Sequence, residues 1–125
     1  MHRKTPDEAV RSRGAGPVES TAVVIVLTTL PAGADADVFA RTLVDRRVAA
    51  CVSVSSPVRS TYRWNGDVQT EAERQVVIKT TADRVPDLQA AVTSLHPYSV
   101  PEWIVIAAAD GSASYFDWIR QSVAP

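Results

Sequence analysis

The chain has 125 residues, enough for one domain, and its apolar share of 46% is that of an ordinary globular protein. A net charge of −1, from 13 basic and 14 acidic residues, leaves no electrostatic footprint for nucleic acid or an anionic membrane. The single cysteine, Cys51, excludes an internal disulfide framework and fits a reducing, cytoplasmic compartment, and no apolar run reaches the ~20 residues of a membrane span.

Residues 1–20 are polar and basic and carry Gly14, Gly16 and Pro17. They read as a disordered tail ahead of one domain over residues 21–125. Residues 22–30 (AVVIVLTTL) form a β-branched, aliphatic run suited to a central strand covered on both faces. A helix is predicted over residues 35–48. Ala36, Phe39, Ala40, Leu43 and Val44 make one apolar stripe, with aspartates at its start and arginines at its end.

Residues 49–80 hold two alternating runs flanking Asn65-Gly66, the mark of a hairpin. A two-residue turn there sets Val58 against Glu73 and Tyr62 against Gln69, which leaves no consistent apolar face. A three-residue loop, Trp64-Asn65-Gly66 with Gly66 left-handed, sets Tyr62 against Val68, Val58 against Ala72, Val54 against Val76 and Val52 against Ile78. It also sets Arg63 against Asp67 and Arg59 against Glu71, so this register is the expectation. Such a ribbon is longer than most, and its tip, with Tyr62 and Trp64, is expected to overhang the domain and meet another subunit.

A second helix is expected over residues 83–95, with Asp83 as N-cap and Pro86 in the first turn, stopped by His96-Pro97. A short strand over 103–108 and a helix over 114–122 complete the order β-α-β-β-α-β plus a terminal helix. That is an α+β, ferredoxin-like arrangement with a long central hairpin. Two right-handed crossovers put both main helices on one sheet face, and the apolar first strand then asks for a cover on the other, which oligomerisation supplies.

The densest set of chemically capable residues is His96-Pro97-Tyr98-Ser99-Val100-Pro101-Glu102-Trp103. Imidazole and carboxylate on one proline-stiffened loop could ligate a divalent metal such as copper or zinc. Alternatively His96 caps the helix and Glu102 pairs with a basic residue. Cys51 reads as a small hydrophobe or a soft ligand. Lys79 is expected near Thr28 and Thr29, and Glu71 and Glu73 on one strand face beside Arg59. Phosphate loop, nucleophile elbow and paired-cysteine motif are all missing, which points away from an enzyme.

AACVSV, YRWNGDVQTEAERQVVIKTT, HPYSVPEWI and YFDWI, in this order and spacing, resemble the CutA divalent-cation tolerance family over residues 23–123. The resemblance implies a ferredoxin-like homotrimer, similar to PII signalling proteins, whose hairpins reach across subunits. It also implies a link to tolerance of copper and other divalent cations. Copper binding in some members uses a first-strand cysteine and the histidine of HPY. Carried over, the histidine is His96, whereas the strand position is Thr28 and lacks the soft ligand. The expected metal ligands are therefore His96 and Glu102. The rival expectation is a PII-like sensor that binds a small anion or metabolite between subunits, with Lys79 as a binding group.

Overall fold

The computed structural model describes residues 19–97 and 101–125. The tail expected over residues 1–20 falls almost entirely outside the described residues, as do Tyr98, Ser99 and Val100. In chain order the elements are β1 (Val23–Pro31), α1 (Ala36–Asp45), β2 (Cys51–Val54), β3 (Val58–Trp64), β4 (Asp67–Thr81), a 3₁₀ turn (Ala82–Arg84), α2 (Val85–Leu95), β5 (Ile104–Ala107) and α3 (Ala113–Val123). The five-stranded sheet runs β2-β4-β1-β5, with β3 also on β4, and the ladders are antiparallel. This is the expected ferredoxin-like α+β architecture.

One sheet face is buried under α1 and α2. Val24, Val26 and Leu30 of β1 and Val76 and Ile78 of β4 pack there against Phe39, Leu43, Leu88 and Val92. The stripe on α1 works as its periodicity requires, and Asp35 caps it by accepting from the Val38 amide at 3.0 Å. Its other end closes as a Schellman motif. Arg47 (φ 58°) donates to the Val44 carbonyl and Val48 to the Leu43 carbonyl. Asp83 is not the cap of α2. It lies in the 3₁₀ turn and accepts from the Thr81 hydroxyl, and α2 starts at Val85 with no side-chain cap.

The opposite face is partly covered by the chain itself. Ile119 and Val123 of α3 pack with Val23 and Ala50. Farther along, Ile104 and Ile106 of the edge strand β5 lie 48% and 45% exposed. They share that face with their cross-strand partners Leu27 and Ile25.

The ribbon corrects the expected register. Its base is as expected, with Val52 opposite Ile78 and Val54 opposite Val76. Its outer half is shifted by one residue. Val58 faces Glu73, Arg59 faces Ala72, Tyr62 faces Gln69 and Arg63 faces Val68. Asn65 (φ 50°) and Gly66 (φ 84°) make a two-residue turn with both residues left-handed, the geometry that matches strand twist. Ser55 still pairs with Gln75 through its amide at 2.9 Å. Ser56 and Pro57 then oppose Arg74 alone, which makes a bulge where proline's missing N–H is harmless. The turn prevails because the outer strands are exposed and the ion pairs that favoured the other register are worth only about 0–1 kcal/mol each. Glu71 consequently meets the Tyr62 hydroxyl and not Arg59.

Candidate functional site

The site lies where β1 ends and the ribbon leaves the sheet. β1 stops at Pro31, which stands opposite Glu73 on β4. On its other side Glu73 faces Val58, the first residue of β3. Hemmed between proline and valine, Glu73 is only 6% exposed as a residue. No hydrogen bond or ion pair to its carboxylate occurs among the described residues. The basic residue beside it points elsewhere, Arg74 donating to the carbonyls of Ala32 and Ser55 at 3.1 Å each.

Thr29 shares this face. It stands opposite Gln75, two positions along β4 from Glu73, and side chains two apart on a strand point the same way. Thr29 is 3% exposed and its Oγ1 has no hydrogen-bond partner. Buried hydroxyls are almost always partnered, so such an atom marks a place where something polar is expected.

The loop after α2 brings in the remaining groups. Thr28 Oγ1 donates to the Glu102 carbonyl at 2.6 Å. The His96 ring is buried, and its Nε2 lies 2.7 Å from the Thr29 carbonyl. A carbonyl only accepts, so Nε2 carries the proton. Glu102 is half-buried. Burial, and then the Glu73 carboxylate, push its pKa above the ordinary carboxylate value.

His96 and Glu102 are thus brought to one corner, anchored on consecutive residues of β1. His96 is also the C-cap of α2, its amide bonded to the Thr93 carbonyl. Cys51 and Lys79 belong to a different region. They face each other across β2 and β4, and Lys79 stands opposite Ile25, not near Thr28 and Thr29. Its ammonium lies 3.3 Å from the Tyr115 hydroxyl and 5.5 Å above the Tyr115 ring, which stacks on Trp118.

Among the described residues no group of three or more His, Cys, Asp or Glu side chains is gathered as a metal cage. What the corner supplies is two carboxylates and an orphaned hydroxyl. These hard oxygen donors fit a divalent cation, whereas the thiolate that copper favours is not there. Sequence reasoning names Glu73 and Thr29 but attaches neither to this corner. The assumed register hides Glu73. The signal that would have exposed it is the combination of Asn-Gly, which demands a two-residue turn, with Pro57, which marks the bulge.

The chain belongs to the CutA1 divalent ion tolerance protein family, whose profile matches residues 24–122. The Divalent-cation tolerance protein CutA of Thermus thermophilus is 40% identical over 98 residues, covering 78% of this chain and 95% of that protein. Human Protein CutA is 36% identical over 86% of this chain, which spans 60% of that protein's length. The crystal structure of CutA from Xylella fastidiosa superposes with a TM-score of 0.78 at 36% identity, over 82% of this chain and 98% of that one. No helix among the described residues is long and apolar enough to cross a membrane.

Proposed function

We propose that this chain acts as a cytoplasmic, non-enzymatic homotrimer that binds a divalent cation weakly at the corner of Glu102 and His96 and so contributes to metal tolerance. The single observation behind the cation is the half-buried Glu102 carboxyl, held above its ordinary pKa by burial and by the nearby negative charge of Glu73. Like charges in low dielectric repel, and a divalent ion between them removes that cost. When bound, the ion would be held by the Glu102 carboxylate, with His96 as the nitrogen ligand from the same loop. The chain's own residues do the positioning. Thr28 fixes the Glu102 backbone, and the Thr29 carbonyl fixes the imidazole tautomer.

The trimer rests on the uncovered part of the sheet. Ile104 and Ile106 are exposed there, and Tyr62 and Trp64, half-buried, turn to the same side. A neighbour's ribbon could cover that face in a closed three-fold ring. Calorimetric titration with Cu²⁺ and Zn²⁺ tests the cation, and binding should weaken in His96→Ala and little in Cys51→Ser. Analytical ultracentrifugation at micromolar concentration tests the ring. A folded monomer with an ordinary melting transition would overturn it.

Lys79 beside Tyr115, with Trp118 stacked on the ring, supports a second reading, a sensor of a small aromatic or phosphorylated anion. A thermal-shift screen with nucleotides and organic acids, compared with Lys79→Ala, decides it.

A further inference from the structure

We infer that Lys79, Tyr115 and Trp118 form a binding site for an aromatic monocarboxylate, a ligand with one flat ring and one negative charge. The inference rests on the sensor reading of these residues and names the ligand class within it.

The sheet and α3 bring the groups together. Cys51, Lys79, Ile25 and Ile106 stand in one row across β2, β4, β1 and β5. Their neighbours Val24, Val26 and Ile78 face α1 and α2, so by alternation this row lies on the opposite face. There α3 packs over Val23 with Ile119 and Val123. Val23 belongs to the adjacent row of the same face, so this packing ends one row short of Lys79. The first turn of α3 delivers Tyr115 to that step, where Lys79 is half-buried.

The contacts converge on the ammonium. Lys79 Nζ donates to the Tyr115 hydroxyl at 3.3 Å, which makes the phenol oxygen the acceptor. Among the described residues neither the phenol's own proton nor the other two ammonium N–H groups have an acceptor. Ammonium and phenol are therefore adjacent donors, a pair that the two oxygens of one carboxylate can accept. Beside them the Tyr115 ring stacks on Trp118 at 5.5 Å and 28°, and both rings stay exposed.

Charge and shape set the ligand class. Arg120 of α3 is committed to the Thr21 carbonyl at 2.9 Å and to Asp117 at 3.3 Å. At the head of α3, Asp110 accepts from the Gly111 amide at 2.8 Å and Ser112 from the Tyr115 amide at 3.3 Å. The helix start is thus capped and carries a negative charge of its own. A lysine in this setting balances a monoanion, whereas the extra charge of a phosphate is left uncompensated. The open aromatic faces favour a flat ring, which stacks where an aliphatic group cannot.

The test is a ligand-observed NMR titration of the full-length protein with phenylacetate, compared with cyclohexylacetate, phenylethanol and AMP. Phenylacetate should bind saturably, with a Kd of roughly 0.1–1 mM for so small a ligand. Cyclohexylacetate keeps the carboxylate and phenylethanol keeps the ring, and each should bind at least about threefold more weakly. Lys79→Gln and Trp118→Ala should each weaken phenylacetate at least about fivefold. Tyr115→Phe keeps the ring and removes the hydroxyl. It should cost about threefold, and it decides the matter if Lys79→Gln does not fold. Phenylacetate binding unchanged by Lys79→Gln, or by Tyr115→Phe where that variant stands in, overturns the inference. Equal binding of cyclohexylacetate or of phenylethanol overturns it too. AMP binding that Lys79→Gln abolishes, with none of phenylacetate, overturns it while leaving the sensor reading intact. Absence of binding by phenylacetate and AMP alike removes both.

Discussion

The two halves of β4 are one continuous strand of 15 residues, about 50 Å long, yet they obey different constraints. The inner half lies between β1 and β2, and Val76, Ile78 and Thr80 are each no more than 1% exposed. A one-residue slip there would carry the whole apolar set out of the core, so burial fixes the register. The outer half pairs only with β3 and is mostly exposed. Nothing is buried deeply enough to choose the register, and the turn chooses it instead. Sequence pattern is therefore a reliable guide to pairing only where it reports burial.

The largest expected effect is at the inner half. Ile78→Ala empties a fully buried site and should cost about 2–5 kcal/mol in urea unfolding. At the tip the sensitive position is the turn. Gly66→Ala forces a β-carbon into the left-handed region at φ 84° and should cost about 1–2 kcal/mol. Replacing Asn65 by Gly should be nearly neutral, because glycine also accepts that conformation.

The junction between the halves supplies a pH signature. Folding raises the Glu102 pKa above its ordinary value of 4.5. The folded chain therefore holds that proton more tightly than the unfolded chain. The contribution favours folding at pH below the ordinary value and is lost as pH rises through the raised one. Urea melts should accordingly show Glu102→Gln gaining on the parent between acid and neutral pH, with the difference levelling off once the group is ionised in both states.

The smallest effect is Val68→Ala. Val68 is 63% exposed in the outer half, so its loss should stay within about 0.5 kcal/mol. A loss approaching that of Ile78→Ala would show that assembly buries the tip, and Trp64→Ala would then fall with it.

The element order and the core beneath α1 and α2 are legible in the sequence, because long apolar periodicities report one-sided burial. The stripe through Phe39 and Leu43 and the run from Val23 to Leu30 are of this kind. Neighbourhood in the candidate site is half legible. His96 and Glu102 lie on one short loop, so proximity follows from chain length. Glu73 and Thr29 are joined to them only through strand register. A charged residue in a strand looks solvated until its neighbours across both ladders are known to be Pro31 and Val58. Lys79 shows the converse. A register error of a few positions moves a long side chain from one end of the sheet to the other, and with it any functional reading attached.

The bulge at Ser56 and Pro57 acts as a phase inverter. Upstream of it, Val52 and Val54 pair with the even-numbered residues of β4 and face the chain's own helices. Downstream, Val58, Tyr62 and Trp64, all of the same parity, pair with odd-numbered residues and emerge on the reverse of the sheet. One extra residue thus transfers every aromatic group of the tip from the inward-looking side of the molecule to its outward-looking side. Deleting Ser56 would close the bulge while the Asn65-Gly66 turn still held Val58 opposite Glu73, so Tyr62 and Trp64 would stay on the outward-looking side and only Pro57 would be drawn into the ladder.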